Sequence, residues 1–180
     1  KLFIDIGSDI TVCPGSTVII GSSATGGIYP YSYQWNTGFS TAYITISPQT
    51  TTSYSVTAMD ANGCQSSSQM TVHVFLPVSL SAYSNVSTIC MGDMVTLFAN
   101  AEEGDGNYAY SLNNSIISVP YDFYPVYEGE MNYQVMVEDG CHSTAIVNIP
   151  ITVHPLPPNN PSSDNMEGCI PLSVQFNEQS

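Results

Sequence analysis

The sequence predicts an all-β chain built from tandem antiparallel β-sandwiches, and three observations carry that reading. Short runs rich in Val, Ile, Thr and Tyr recur at strand-like intervals, separated by Gly- and Asn-containing turn pairs. No stretch shows the 3.6-residue apolar spacing of a helix. Cysteine positions repeat: Cys13 and Cys64 are 51 apart, Cys90 and Cys141 are 51 apart, and the two pairs are offset by 77. A fixed period of this kind marks a repeat architecture and takes precedence over local patterns.

The elements follow in order. The first repeat gives strands over 17–20, 32–35, 42–46, 53–58 and 69–74, with turn chemistry at Pro14-Gly15, Gly26-Gly27, Thr37-Gly38 and Asn62-Gly63. Its last run alternates, placing Met70, Val72 and Val74 on one face and Thr71 and His73 on the other. The second repeat gives 94–99, 108–112, 115–119, 133–137 and 145–153. Pro150 lies inside the last of these and places that strand at an edge or a bulge, because proline cannot donate to a ladder. Trp35, in Tyr33-Gln34-Trp35, reads as a buried core residue. Tyr110 and Leu112 stand at the same places one repeat later.

Both repeats open alike, TVCPGSTVII around Cys13 and TICMGDMVTL around Cys90, and both place Gly immediately before the second cysteine. Cys169 begins the pattern again in GCIPLSVQF. The expected organisation is therefore one domain over 1–77, a second over 78–155, and a proline-rich linker with the opening strands of an incomplete third over 156–180. Four cysteines allow three connectivities. The matched spacing favours Cys13–Cys64 and Cys90–Cys141, one bond per domain, each worth about 4 kcal/mol in the chain-entropy model. Cys169 then pairs with a cysteine beyond the chain end. Paired cysteines imply an oxidising, extracellular compartment.

Composition removes several functions. One Lys and no Arg stand against 15 acidic residues, for a net charge of −14. Nucleic-acid binding and polybasic membrane attachment both need cations that are absent. No apolar run reaches the roughly 20 residues of a membrane span, so membrane insertion is not expected. The three histidines make no zinc-ligand cluster, no serine sits in a nucleophile-elbow pattern, and no carboxylate pair stands out for glycoside hydrolysis. The chain reads as non-catalytic.

The segment from Cys13 to Ser67 resembles the Ig-like repeat of large surface proteins of gliding bacteria and their relatives. The resemblance rests on Cys13/Gly15, Tyr33/Trp35, Ser47 to Tyr54 and Asn62 to Cys64. It is looser over the second repeat, which lacks the tryptophan and the Ser-Pro-Thr-Thr run. The end, GCIPLSVQFNEQS, is similar to the opening of a PKD-type domain. The resemblance implies Ig-like sandwiches, secretion by the type IX route, and a role as adhesin stalk or filament, while the short, proline-containing linkers at 75–78 and 155–161 suit a tandem, elongated array.

One loop stands apart chemically. Glu102-Glu103-Gly104-Asp105-Gly106-Asn107 combines oxygen ligands with glycines, as a calcium site requires, and Glu138 and Asp139 are available to help. Calcium is the only cofactor the residues suggest. The expected partners are other repeats of the same polypeptide, surface polysaccharide, or further copies in a fibre. The alternative function is a carbohydrate-binding accessory module of a secreted polysaccharide-degrading enzyme, which would need Tyr29, Tyr31 and Phe39 aligned on one flat face.

Overall fold

A computed structural model of the chain describes residues 1–156. The expected third-domain strands and Cys169 lie outside the described residues. The chain divides into two compact units, Lys1–Leu76 and Pro77 onward. Every regular element among the described residues is a strand.

In the first unit, β1 (Ile10–Val12), β6 (Gln65–Val74), β5 (Thr52–Met59) and β3 (Ser32–Trp35) form one sheet in that order; β2 (Val18–Gly21) and β4 (Tyr43–Ile46) form the other. β1 runs parallel to β6, with Val12 opposite Val74, and the remaining pairs are antiparallel. The core lies between the sheets. Tyr54, Val56 and Ala58 point inward from β5, and Met70, Val72 and Val74 from β6, while Thr71 and His73 point outward as the alternation predicts. Leu2, Ile4 and Ile6 close one side of this core, with Phe3 turned to solvent and bridged to Thr25.

Trp35 is 2% exposed, and its indole N–H donates to the Thr41 carbonyl at 2.8 Å. A buried indole thus has its one donor satisfied. β6 begins four residues earlier than its apolar pattern, at Gln65. Residues 65–69 carry no apolar signal but pair along β5, supported by a Thr57–Ser67 hydroxyl contact at 2.8 Å. The ladder extends this strand where side-chain patterning does not.

The second unit repeats the plan with longer strands. One sheet is ordered β11 (Ser115–Ile117), β10 (Ala109–Leu112), β13 (Gly129–Glu138), β14 (Thr144–His154), β8 (Thr88–Cys90); the other is β12 (Tyr121–Phe123), β9 (Val95–Glu102), β7 (Ser79–Ser84). Val95, Leu97, Val135, Val137, Ile151 and Val153 are its most buried residues, and Leu112 fills the position of Trp35. Pro150 lies opposite Asn132 of β13, and the other side of β14 is paired only over Thr152–His154. The missing N–H of Pro150 therefore falls at an open edge. The patterns missed β1, β7, β8 and β12, and three of these have only three residues. So short a run cannot express a period.

Candidate functional site: the cysteine-bearing ends of the sandwiches

Each sandwich has a leading end, where its first residues lie, and a trailing end, where its last strand finishes. At the leading end of the first unit, Asp60 organises two loops. Its Oδ1 accepts the N–H groups of Asn62 (3.0 Å) and Cys64 (2.9 Å), and its Oδ2 accepts that of Ile28 (3.1 Å). Asp60 is 5% exposed. Burial pushes its pKa up, but these N–H donors outweigh burial and hold the carboxyl below its ordinary value. Gly27, at φ +64°, leaves no room for a Cβ, which would stand 2.6 Å from Asp60 Oδ2. Tyr31 hydroxyl donates to the Gly26 carbonyl, and Tyr33 hydroxyl accepts the Ala24 N–H at 3.0 Å.

The second unit rebuilds most of this brace, except that Asp139 Oδ2 is buried without the hydrogen-bond partner that Asp60 Oδ2 finds in Ile28. Tyr108 hydroxyl donates to the Glu103 carbonyl, and Tyr110 hydroxyl accepts the Ala101 N–H at 3.1 Å. Asp139 Oδ1 accepts the N–H groups of Cys141 (2.9 Å) and Ser143 (2.8 Å). Glu103, at φ 64°, occupies the left-handed position of Gly26. The acidic loop is therefore the counterpart of the Gly26-Gly27 turn.

The calcium expectation at Glu102, Glu103 and Asp105 falls on this same loop, where Asp105 is part of the bracing contacts. Asp105 Oδ1 accepts the N–H groups of Asn107 and Gly140, both at 2.9 Å, and Oδ2 accepts the Asn107 amide at 3.0 Å. Those bonds, chiefly from Asn107, hold its pKa below the usual carboxylate range. Glu138 is engaged with His142 at 2.7 Å, which raises the His142 pKa. Among the described residues no three acidic, His or Cys side chains gather as a metal site. Within the loop, Asp105 is engaged by the Asn107 and Gly140 N–H groups and the Asn107 amide, and Glu102 Oε1 accepts the Asn100 amide at 3.4 Å.

The turn alignment also differs from the sequence alignment. Met59 pairs with Gln65 and Glu138 with Thr144, which superposes Gly63 on His142 and Cys64 on Ser143. Both Gly63 and His142 have positive φ. Matching Gly-Cys to Gly-Cys therefore misplaces the second cysteines by two positions. They still share one turn, since positions two and four after the aspartate donate to the same carboxylate oxygen.

The cysteine pairing departs from expectation. Cys13 follows Val12, whose carbonyl accepts the Phe75 N–H, so Cys13 sits at the trailing end of its sandwich. Cys64 precedes β6 at the leading end. The ten residues of β6 lie between them, roughly 30 Å at 3.3 Å per residue. Cys90 is likewise opposite His154, whereas Cys141 precedes the other end of the 11-residue β14. A disulfide requires Cα atoms within about 7 Å. Neither Cys13–Cys64 nor Cys90–Cys141 can form in these sandwiches. Cys64 is an exposed free thiol, while Cys13, Cys90 and Cys141 are all disulfide-bonded. Equal sequence spacing reflected repetition of the fold, not proximity of the sulfurs.

The aromatic trio does not assemble either. Tyr29 and Tyr31 meet edge to face at 82°, and Phe39 lies beyond the opposite end of β3. The patterns overlooked a different pair. Tyr83 and Phe98 stack across β7 and β9, with centroids 5.1 Å apart and planes at 20°, and Tyr83 is 62% exposed.

No family model matches the chain, and no curated protein sequence matches it. Among solved structures, it is similar to the I67–I69 fragment of the titin I-band, with a TM-score of 0.56 and 12% identity. That match covers 86% of this chain and 66% of the titin fragment. It is also similar to the three N-terminal domains of the bacteriophage RB49 highly immunogenic outer capsid protein, with a TM-score of 0.51 and 16% identity over 85% of this chain and 59% of that one. The fold is Ig-like. The chain spans 66% and 59% of these multidomain structures, and at such identities the likeness concerns fold alone.

Proposed function

We infer that this chain is a non-catalytic segment of a large extracellular surface protein, serving as part of an adhesin stalk or filament. The observation that carries this reading is the brace present in both units, in which the tyrosine hydroxyls, Asp60, and the Oδ1 atoms of Asp105 and Asp139 bond the protein's own backbone. Such groups maintain loop geometry at sandwich ends instead of awaiting a substrate. Oxidised cysteines support an extracellular setting. The sequence resemblance to surface repeats of gliding bacteria supports secretion by the type IX route. Small-angle scattering of residues 1–156 is expected to give the extended profile of an array; a compact globular profile removes the stalk reading.

A second reading, a carbohydrate-binding accessory module, is favoured by the Tyr83–Phe98 stack. An exposed ring on a strand face offers a sugar an apolar platform, and a shallow groove lined by Tyr83, Asn85 and Asn148 adjoins it. Affinity electrophoresis in soluble polysaccharides tests it. Retardation abolished by Tyr83→Ala is the expected result under this reading, and unretarded wild-type migration rejects it.

A further inference from the structure

We propose that the acidic loop of the second unit binds a calcium ion between the Asp105 and Asp139 carboxylates, at a place where the first unit has no such site. The proposal goes beyond the stalk reading and does not depend on it. The two units supply the comparison. In the first, both oxygens of the bracing carboxylate are used: Asp60 Oδ1 accepts the Asn62 and Cys64 N–H groups, and Oδ2 accepts that of Ile28 at 3.1 Å. In the second, Asp139 Oδ1 accepts the Cys141 and Ser143 N–H groups, but Oδ2 has no hydrogen-bond partner, although the residue is only 4% exposed. With Glu103 at the position of Gly26, the residue at the position of Ile28 is Asp105. The second unit therefore places an acid where the first has an isoleucine.

The two acids are crossed. A Cβ on Gly104 would lie 2.4 Å from Asp139 Oδ2, and one on Gly140 would lie 2.2 Å from Asp105 Oδ2. Each carboxylate thus rests against the glycine that is the chain neighbour of the other acid. Burial, then Tyr110, and then the charges of Asp105, Asp139 and Glu103 push the Tyr108 pKa up, so three carboxylates act on one hydroxyl. The second unit has no Lys or Arg to neutralise them. Of its two histidines, His154 ends β14 at the opposite end of the sandwich, and His142 is engaged by Glu138 at 2.7 Å. A buried carboxylate oxygen without a donor is costly, and buried charges are paired or coordinate a metal. Calcium takes roughly six to eight oxygens from carboxylates, main-chain carbonyls and water in a flexible shell, so two carboxylates suffice as its side-chain ligands. Asp105 Oδ2 accepts one hydrogen bond, from the Asn107 amide, and keeps a lone pair for the ion. Gly104 and Gly106 both have positive φ, and a Cβ on Gly106 would meet nothing within 4 Å. The loop backbone there has room to shift and admit an ion at about 2.3–2.6 Å from Asp139 Oδ2.

The test uses the full chain, stripped of metal with EDTA, and two readouts. Terbium(III), a luminescent stand-in for calcium, is excited through tyrosine. The expected emission saturates, is displaced by calcium, and falls by half or more in Tyr108→Phe. Calorimetry in about 5 mM calcium is expected to raise melting by about 5–15 °C, given the affinity usual for extracellular modules. Asp105→Asn keeps an acceptor for the Asn107 and Gly140 N–H groups but removes the charge, and is expected to lose both responses. Equal responses in wild type and Asp105→Asn, or the same stabilisation by magnesium, would show screening of the −14 net charge and overturn the proposal. So would wild-type protein that neither gains stability in calcium nor sensitises terbium. If Asp105→Asn does not fold, the terbium comparison decides alone: emission unchanged in Tyr108→Phe puts the ion elsewhere and overturns the site.

Discussion

Trp35→Ala is expected to remove about 4 kcal/mol from the first unit, most of the stability that a sandwich of this size holds. The indole is 2% exposed and lies in a core with Ile20, Ile44, Val56 and Val72. Truncation loses the transfer energy of the ring and leaves a cavity that rigid strands on both sides cannot collapse to fill. It also orphans the Thr41 carbonyl, whose partner is the indole N–H. By calorimetry the corresponding shift is roughly 20 °C. Trp35→Phe keeps much of the volume but not the donor, and is expected to cost about 1–3 kcal/mol. A loss below about 1 kcal/mol for the alanine variant would show that this core closes without its largest side chain.

Asp60→Ala is expected to lower the melting temperature of the first unit by roughly 5–15 °C, because three N–H groups lose the buried carboxylate that accepts them. Asn at this position is the informative comparison. Its single carbonyl oxygen can serve the Asn62 and Cys64 donors or the Ile28 donor, and its amide then meets the remaining N–H as donor against donor. Asp60→Asn is accordingly expected between wild type and alanine. The pH dependence has a definite sign. A carboxyl whose folded pKa lies below its unfolded value contributes stability above about pH 4, and that contribution disappears as pH falls through the folded pKa. The gap between wild type and Asp60→Asn should therefore be constant at neutral pH and narrow on acidification below about pH 4. A gap that widened in acid would mean that the carboxylate is not the form the turn holds.

Much of the fold was legible because buried strands write a period of two. Met70, Val72 and Val74 alternate with Thr71 and His73, and the structure places them as that alternation requires. Trp35 was legible as core because it is a large apolar residue on a strand, at a place that Leu112 takes one repeat later. The opening of β6 over Gln65–Gln69 was not, since its conformation comes from backbone pairing with β5. The braces were hidden for a related reason. Tyr31 with Gly26, and Asp60 with Ile28, are contacts between loops that carry no local pattern of their own.

The amino-acid sequence by itself determined that this is a repeated all-β chain, poor in cations, with cysteines set at regular places in each repeat. Periodicity and composition are properties of the chain, and they survive whatever the distances turn out to be. Only the tertiary structure decided which atoms meet. A separation of 51 residues says nothing about space once a strand of ten or eleven residues, roughly 30 Å long, stands between the two sulfurs. The same is true of the acidic loop: the sequence shows six residues rich in oxygen, and only the structure shows that Asp105 among them accepts hydrogen bonds from Asn107 and Gly140. Charge and spacing describe what a segment could hold, and the backbone groups folded against it decide what it does hold.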